Sequence, residues 1–354
     1  MSWILAFAGF AFLIVAHEAG HMVAAKAVGM RVERFFLFFP PKLWSVTRGE
    51  TEYGIGAIPL GGFVKITGMN PDEELPPQVA SRGYYHQPVW KRIVVIGAGP
   101  AVNLVIAFVI LFALAFQASE PTNTVERVRP GSPAAAVLER GDRLVAVDGE
   151  RGGLEELRAQ IATHECAGEQ RDGCVAASPA EVVVVRGGRE LTLSARPEYD
   201  AEAGRPLLGF EYGAVPVEGI GGATGWALER MWEVSSQTVS IVGRIFDAEQ
   251  REQISGVVGS YEVTRQSFEF DVRQALLVLA LISLSLAVIN LFPFLPLDGG
   301  HIFWSLVEKV RGRPVPFRVM ERASVVGFVL VLMLFAIGLT NDIDRLSGEG
   351  FGIR

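Results

Sequence analysis

Four long apolar blocks set the main constraint on how this chain can fold. They cover roughly residues 3–27, 93–117, 275–297 and 323–340 of the 354-residue chain. Each is close to the ~20 residues that an α-helix needs to cross the hydrocarbon core of a bilayer. The stretch at about 120–222 is instead charged, rich in glycine and patterned as short strands. We therefore predict a polytopic α-helical membrane protein with four transmembrane helices and a soluble α+β module inserted between spans two and three.

The same pattern predicts four domains along the chain. Residues 1–117 hold the first two spans and a membrane-associated β-loop at about 43–66, residues 120–200 form the inserted module, residues 201–274 are a linker, and residues 275–354 hold the last two spans. Within the linker, residues 223–247 have apolar side chains at helical spacing between charges, which predicts an amphipathic helix on the membrane surface or against the bundle. A secretory signal peptide is the alternative interpretation of the first block, although no basic residue precedes it.

The basic residues indicate which side of the membrane each loop faces. All lysines fall in or beside two segments, residues 28–92 and 305–322: they are Lys26, Lys42, Lys65, Lys91 and Lys309. The positive-inside rule makes these loops cytoplasmic, so both termini and the inserted module are predicted to be extracytoplasmic. On that side Cys166 and Cys174 favour a local disulfide, with two free thiols as the alternative.

Two histidines and a glutamate interrupt the first span. In HEAGH, His17 and His21 lie four residues apart, so a helix places both imidazoles on one face, and Glu18 adjoins the first of them. H-E-x-x-H on a helix is the zinc hydrolase arrangement, with the glutamate as general base. A charge at the bilayer centre costs ~2.5–3.5 kcal/mol on insertion scales. The motif therefore predicts a functional site, a Zn²⁺ centre within the membrane.

A catalytic zinc needs a third protein ligand, which must come from another part of the chain. The third span ends in NLFPFLPLDGGH, whose prolines break the helix. Irregular backbone at membrane depth is tolerated only where it is buried in protein or lines a wet cavity, so we predict that Asp298 is the third ligand. The alternative for Asp298 is a helix cap. His301 is a competing ligand, ranked lower because it falls further into the predicted cytoplasmic loop.

Three residues are predicted to contact substrate. Gly54 and Gly56 alternate with apolar residues in a strand after the first span, which leaves one face bare and allows an unwound substrate strand to pair there. An ordinary hairpin is the alternative. Asn290 either holds the substrate backbone or caps the broken helix. In the second span, the small residues at 97–99 are predicted to let helices approach closely, and Asn103 is assigned to helix packing, with contact to the active site as the alternative.

Together these motifs resemble one known family. HEAGH in the first span, GAGPAVN opening the second and NLFPFLPLDGGH in the third are similar to motifs of the site-2 protease family of intramembrane zinc metalloproteases. GIGAIPLGGFVKITG resembles that family's cytoplasmic β-loop, and PGSPAAAVLERGDRLVAVDG resembles a PDZ domain of its bacterial members. A single such module and four spans are similar to the shorter bacterial forms. Val257 is a departure, because the family commonly has proline there.

The resemblance implies a function. It implies that His17, His21 and Asp298 bind zinc, that Glu18 is the catalytic base and that Asn290 acts near the substrate. It implies a multi-pass endopeptidase of the bacterial inner membrane that cuts single-span proteins in or near their transmembrane segment. An upstream site-1-type protease first trims the outer part, and the cut then releases regulators such as anti-sigma factors or clears remnant signal peptides. The PDZ module would exclude untrimmed substrates.

Two other classes of function remain open from the sequence. A transporter also has broken helices with polar residues at membrane depth, although no internal repeat is visible here. A membrane scaffold bearing a PDZ domain and an inactive site is the other. No nucleic-acid partner is expected in any of these cases.

Overall fold

The structure, a computed structural model, describes residues 1–70, 73–244 and 254–348. In chain order its elements are α1 (Ser2–Ala27), β1 (Val32–Arg48), β2 (Thr51–Ile66), α2 (Pro77–Ala80), α3 (Val89–Ala115), β3 (Ser119–Val128), β4 (Arg143–Val147), β5 (Glu150–Arg151), α4 (Leu154–Ala162), β6 (Ala180–Arg186), β7 (Arg189–Ala195), β8 (Glu198–Asp200), β9 (Arg205–Leu207), β10 (Phe210–Pro216), α5 (Gly219–Gly243), α6 (Val257–Phe270), α7 (Val272–Asn290), α8 (Asp298–Arg311) and α9 (Phe317–Ser347). Two compact units result: Ala115–Gly222, called the inserted unit below, and the helical unit formed by the residues before and after it.

Four of the described helices, α1, α3, α7 and α9, are long and apolar enough to cross a membrane. The prediction of four spans is confirmed at this level. Their ends differ from the predicted ones. Helix α7 stops at Asn290, short of the predicted 297, because Pro293 and Pro296 cannot continue a helix. Helix α9 is longer than the predicted 323–340, since its charged ends continue the helical backbone beyond the apolar block.

Small residues bring α1 and α3 into backbone contact. A Cβ atom on Gly20 of α1 would lie 2.6 Å from the carbonyl oxygen of Ala98 in α3. Contacts this close require glycine, as is usual where membrane helices pack tightly. The two helices are therefore held together at the level of HEAGH.

The break in the third span is a tight turn in which backbone segments approach one another closely. Helix α7 ends at Asn290, residues 291–297 are irregular, and α8 begins at Asp298. A Cβ on Gly299 would lie 2.2 Å from the Leu291 carbonyl oxygen. From α9, a Cβ on Gly327 would lie 1.7 Å from the carbonyl oxygen of Leu295. The glycines thus let three backbone segments converge and fix where α8 begins.

The β-loop is more extensive than predicted, and its glycines are in close contact with another strand of the same loop. Strand β1 begins at Val32, and residues 34–37 lie opposite both 52–55 and 62–65 of β2. A Cβ on Gly54 would lie 2.5 Å from Cε1 of Phe36, and one on Gly56 would lie 2.2 Å from the carbonyl oxygen of Phe39. Both glycines thus lie against the chain's own β1, which accounts for the absence of side chains there, and contact of Gly54 and Gly56 with substrate stays a prediction.

The inserted unit is built on one sheet with strand order β10-β3-β4-β6-β7, and β5 pairs with β4. Its core contains Val125, Leu144, Leu157, Val182 and Leu208. The domain boundary predicted at residue 200 is wrong, since β10 pairs along β3 and the compact unit continues to Gly222. A 3₁₀ turn, Pro133–Ala136, lies between β3 and β4. The sulfur atoms of Cys166 and Cys174 are bonded to each other.

Two helices occupy the region predicted as a linker. Helix α5 buries Ala227 against Leu111 and Ala280, and the last residues of the predicted amphipathic helix, 245–247, lie outside the described residues. Helix α6 was not predicted. It packs on α1 and α7, and its N-terminus is capped from α9 by the fully buried carboxylate of Asp342. That carboxylate accepts the backbone N–H groups of Gly256 at 3.0 Å and Gly259 at 2.7 Å.

Candidate metal centre and active site

Three ligand atoms from two distant segments converge in the helical unit. Nε2 of His17 lies 3.2 Å from Nε2 of His21, and Oδ2 of Asp298 lies 3.2 Å and 3.3 Å from these two nitrogens. Both histidines are 7% exposed. Among the described residues, these three form the group of side chains that could hold one metal ion. Helix α1 supplies two of them one turn apart, and the first residue of α8 supplies the third.

The spacing of these atoms fits zinc. Nitrogen and carboxylate oxygen ligands lie ~2.0–2.2 Å from Zn²⁺ in a tetrahedral site, which places ligand atoms roughly 3.3–3.6 Å from one another. The observed separations of 3.2–3.3 Å lie at the short end of this range. Two imidazoles and one carboxylate also match the donor set of catalytic zinc sites, which leave one position open.

Helix α3 supplies the outer partners of both imidazoles. Nδ1 of His21 lies 2.8 Å from the carbonyl oxygen of Val95, which can only accept, so Nδ1 carries the proton and Nε2 presents its lone pair to the centre. Nδ1 of His17 lies 3.2 Å from the side-chain nitrogen of Asn103. The assignment of Asn103 to helix packing is therefore incomplete, because its amide contacts a candidate metal ligand directly.

Gly99 keeps the space between α3 and the metal-binding atoms open. A Cβ at this position would lie 2.3 Å from Nε2 of His21 and 2.9 Å from Nε2 of His17. The sequence indicated only that small residues here let helices approach. The structure adds that the absence of a side chain at position 99 leaves room at the ligand atoms themselves.

Glu18 faces the β-loop as well as the metal-binding group. It lies within electrostatic reach of His21, His17 and Asp298, and its carboxylate is hydrogen-bonded by the backbone of Val64 in β2. A Cβ on Gly62 would lie 3.1 Å from Cγ of Glu18. The stretch of β-loop that reaches the candidate base is thus residues 62–64, which sequence reasoning had not singled out.

Two further predicted residues, His301 and Asn290, lie outside this group. His301 lies in the first turn of α8, so it belongs to a helix rather than to an irregular loop. It is nonetheless not part of the group of described ligand atoms formed by His17, His21 and Asp298. Asn290 is the last residue of α7, and its side-chain nitrogen donates to the carbonyl oxygen of Leu286 at 2.9 Å.

A buried ion pair holds the far end of α8. The Arg92 guanidinium of α3 is 2% exposed and donates to both carboxylate oxygens of Glu308, at 2.6 Å and 3.0 Å. The ring centroid of Tyr85 lies 5.4 Å from the same guanidinium. Helix α8 is thus fixed to α3 at one end and presents Asp298 at the other.

The chain matches the family model of peptidase family M50 over residues 5–334. It is 30% identical over 351 residues to a protein of Clostridium perfringens, and the alignment covers 96% of this chain and 98% of the relative. It is 32% identical over 368 residues to a protein of a Nostoc species, with 99% and 98% covered. Both relatives carry the words zinc metalloprotease in their names. Zinc metalloprotease Rip1 of Mycobacterium tuberculosis is 30% identical over 379 residues, with 93% and 94% covered.

Proposed function

The chain belongs to peptidase family M50, the site-2 protease family, and is a multi-pass zinc metalloendopeptidase of the inner membrane; from this premise we propose that it cuts single-span membrane proteins in or near their transmembrane segment. The observation that carries the proposal is the convergence of His17, His21 and Asp298 between helices long enough to span a bilayer. A peptidase centre in that position acts on a bond inside or close to the membrane.

We assign His17, His21 and Asp298 as the ligands of the zinc ion. Bound zinc supplies Lewis acidity, which acidifies a water and polarises a peptide carbonyl. Glu18 is the base: its carboxylate accepts a proton from the attacking water and delivers it to the leaving nitrogen as the C–N bond breaks. The bond from the Val64 backbone to Glu18 orients that carboxylate.

A transmembrane helix must unwind before its carbonyls become available, because they are engaged in backbone hydrogen bonds. We propose that the unwound segment lies alongside residues 62–64, which border Glu18. Asn290 is our candidate for holding the substrate backbone from the opposite side of the break. For that contact its side-chain nitrogen exchanges the bond to Leu286 for one to the substrate.

We further propose that the inserted unit is a PDZ domain on the extracytoplasmic side. Support comes from the chain's lysines, which all fall in or beside the two loops predicted to be cytoplasmic, and from β10, which lies at one end of the strand order. Strand β10 and helix α4 flank a cavity of about 340 Å³. Its charged lining consists of Arg129, Arg158, Arg205 and Glu211, which suits an extended peptide with an anionic end.

In this proposal the inserted unit selects substrates that an upstream site-1-type protease has already trimmed. Regulated proteolysis of this kind releases membrane-bound regulators, such as anti-sigma factors, or removes remnant signal peptides. Two reporters that differ only in the length of their extracytoplasmic part test whether trimming must come before cleavage. The short reporter should be cleaved faster than the long one. Equal cleavage rates for the long and the short reporter in vesicles would refute the filter.

The central test uses Glu18→Gln in the full chain, reconstituted with a single-span reporter. We expect cleavage to be lost while one zinc per chain is retained, since the amide cannot take the proton but is not a ligand. Glu74→Gln, an exposed glutamate in a cytoplasmic segment, is the matched control and should cleave normally. Normal cleavage by Glu18→Gln would remove Glu18 from its assigned role.

A further inference from the structure

We propose that Asn103 is a positioning residue of the zinc centre, whose side-chain amide fixes the tautomer and orientation of His17. The inference rests on the proposed function in one respect only, namely that His17 binds the metal through Nε2. In this proposal α3 supplies a hydrogen bond that positions one of the zinc ligands carried by α1 and α8.

Asn103 lies in an otherwise apolar part of a membrane-spanning helix, and it is completely buried. Its side-chain nitrogen lies 3.2 Å from Nδ1 of His17, whereas its side-chain oxygen has no hydrogen-bond partner among the described residues. A buried amide atom without a partner costs about 1–3 kcal/mol. The contact with Nδ1 of His17 is the hydrogen bond that the described residues offer this amide, and the state of His17 decides which of the two amide atoms makes it.

The chemistry of imidazole identifies that state. A neutral imidazole carries one proton, so a metal bound at Nε2 requires the proton to be on Nδ1. An N–H at Nδ1 needs an acceptor, and the amide oxygen of Asn103 is the acceptor that this side chain can offer. A half-turn of the amide exchanges its nitrogen for its oxygen at the same position. The orientation described here, with nitrogen toward Nδ1, suits the other tautomer of His17.

His21 provides an internal comparison. Its Nδ1 faces the backbone carbonyl of Val95, which accepts in every state, so His21 is always held in the metal-binding tautomer. The tautomer of His17 depends instead on a side chain that can turn. Val95, Gly99 and Asn103 follow one another at intervals of four residues, so one face of α3 serves both imidazoles.

The backbone at Asn103 is anchored independently of its amide. The hydroxyl of Ser283 in α7 is fully buried and donates to the carbonyl oxygen of Asn103 at 2.9 Å. The position of Asn103 is therefore set by packing between α3 and α7, while its amide remains available to His17. Outer partners of this kind commonly alter metal affinity 10–100-fold when they are removed.

The test measures zinc affinity of the full chain in detergent by competition with a chelator. Asn103→Leu has similar size and no acceptor, and we expect zinc to bind roughly 10–100-fold more weakly. Asn103→Asp keeps an acceptor for Nδ1–H and should retain most of the affinity. Asn103→Thr serves the same purpose through its hydroxyl if the charged variant does not insert into the membrane. The d–d absorption of the Co²⁺-loaded protein should change with Leu and not with Asp.

Ser283→Ala is the matched control, because it removes the hydrogen bond to the Asn103 backbone without touching the amide. It should leave zinc affinity nearly unchanged. Equal zinc affinity of Asn103→Leu and the unaltered protein would overturn the proposal, and so would an equal loss for Leu, Asp and Thr, which would indicate packing alone. His17→Ala separates this failure from that of the proposed function: unchanged zinc binding in that variant would refute the ligand assignment itself.

Discussion

Replacing Gly99 by alanine should empty the metal centre, although it adds only one methyl group. That methyl would stand 2.3 Å from Nε2 of His21, where ordinary contact begins at 3.4 Å, so one of the two groups must retreat by about 1.1 Å. It would also stand 2.9 Å from Nε2 of His17. Both atoms are rigid ends of rings packed between helices, so neither can turn away as the tip of a flexible side chain would.

Metal coordination tolerates much less movement than this. A credible zinc site keeps its ligand distances within about 0.2 Å of the expected values. A shift of about 1.1 Å therefore removes one imidazole from the coordination sphere. Loss of an outer partner alone costs 10–100-fold in metal affinity, so we expect Gly99→Ala to weaken zinc binding by at least ~100-fold and to abolish cleavage.

Gly97→Ala is the matched control for this experiment. It lies on the same helix, and a Cβ there would meet nothing nearer than Cδ1 of Ile302 at 4.0 Å. Alanine is favoured over glycine in a helix by up to ~1 kcal/mol, so this variant should fold and bind zinc normally. The assay compares zinc content after gel filtration and zinc affinity by chelator competition. Equal zinc affinity of Gly99→Ala and Gly97→Ala would refute the reasoning.

Two further predictions concern parts of the fold outside the metal centre. Asp342→Ala removes the buried cap of α6 and should destabilise the helical unit by about 1.5–3 kcal/mol, the range for hydrogen bonds to a charged group. Thermal unfolding measures this loss, and Asp344→Ala, at an exposed position of the same helix, is the control that should have no effect. In the inserted unit, burial raises the pKa of Asp142, but hydrogen bonds from Arg186 and from the Glu139 N–H outweigh it, so the pKa lies below its usual 3.8. The stabilisation that the Asp142 carboxylate contributes is therefore fully present above pH 3.8, its pKa in the unfolded chain. It is lost as the pH falls through the lower pKa of the folded protein. At neutral pH, the backbone amides of the inserted unit should be less protected from hydrogen exchange in Asp142→Asn than in the unaltered chain. At strongly acidic pH their protection should be equal in the two proteins, and a difference that persists there would contradict the prediction.

The sequence predicts the parts of the site whose signal is local. The histidine pair and Glu18 are readable because helix geometry converts a spacing of four residues into a shared face. Asp298 is readable because a broken helix at membrane depth implies a cavity. The same reasoning could not find Gly62, and it could not decide between helix packing and active-site contact for Asn103, because both roles depend on which distant segment the residue contacts.

The features that the sequence missed or left undecided have the same physical origin. Alternating glycines indicated that some backbone approaches Gly54 and Gly56, but a pattern within one strand does not say which backbone, and β1 turned out to be the neighbour. Strand β10 was not predicted because its partner β3 lies some 90 residues earlier in the chain, Phe210 facing Val128 for example. Helix α6 was not predicted because its sequence is polar and has no apolar stripe. Tertiary contacts with other helices stabilise it instead.

X-ray absorption at the zinc edge of the purified full chain tests the central claim most directly. The account predicts one zinc per chain, with two imidazole nitrogens and otherwise oxygen donors at ~2.0–2.2 Å. It also predicts that zinc is lost from Asp298→Ala, because the carboxylate lies 3.2–3.3 Å from both imidazole nitrogens. Sulfur ligands, or an unchanged spectrum and full zinc content in Asp298→Ala, would contradict it.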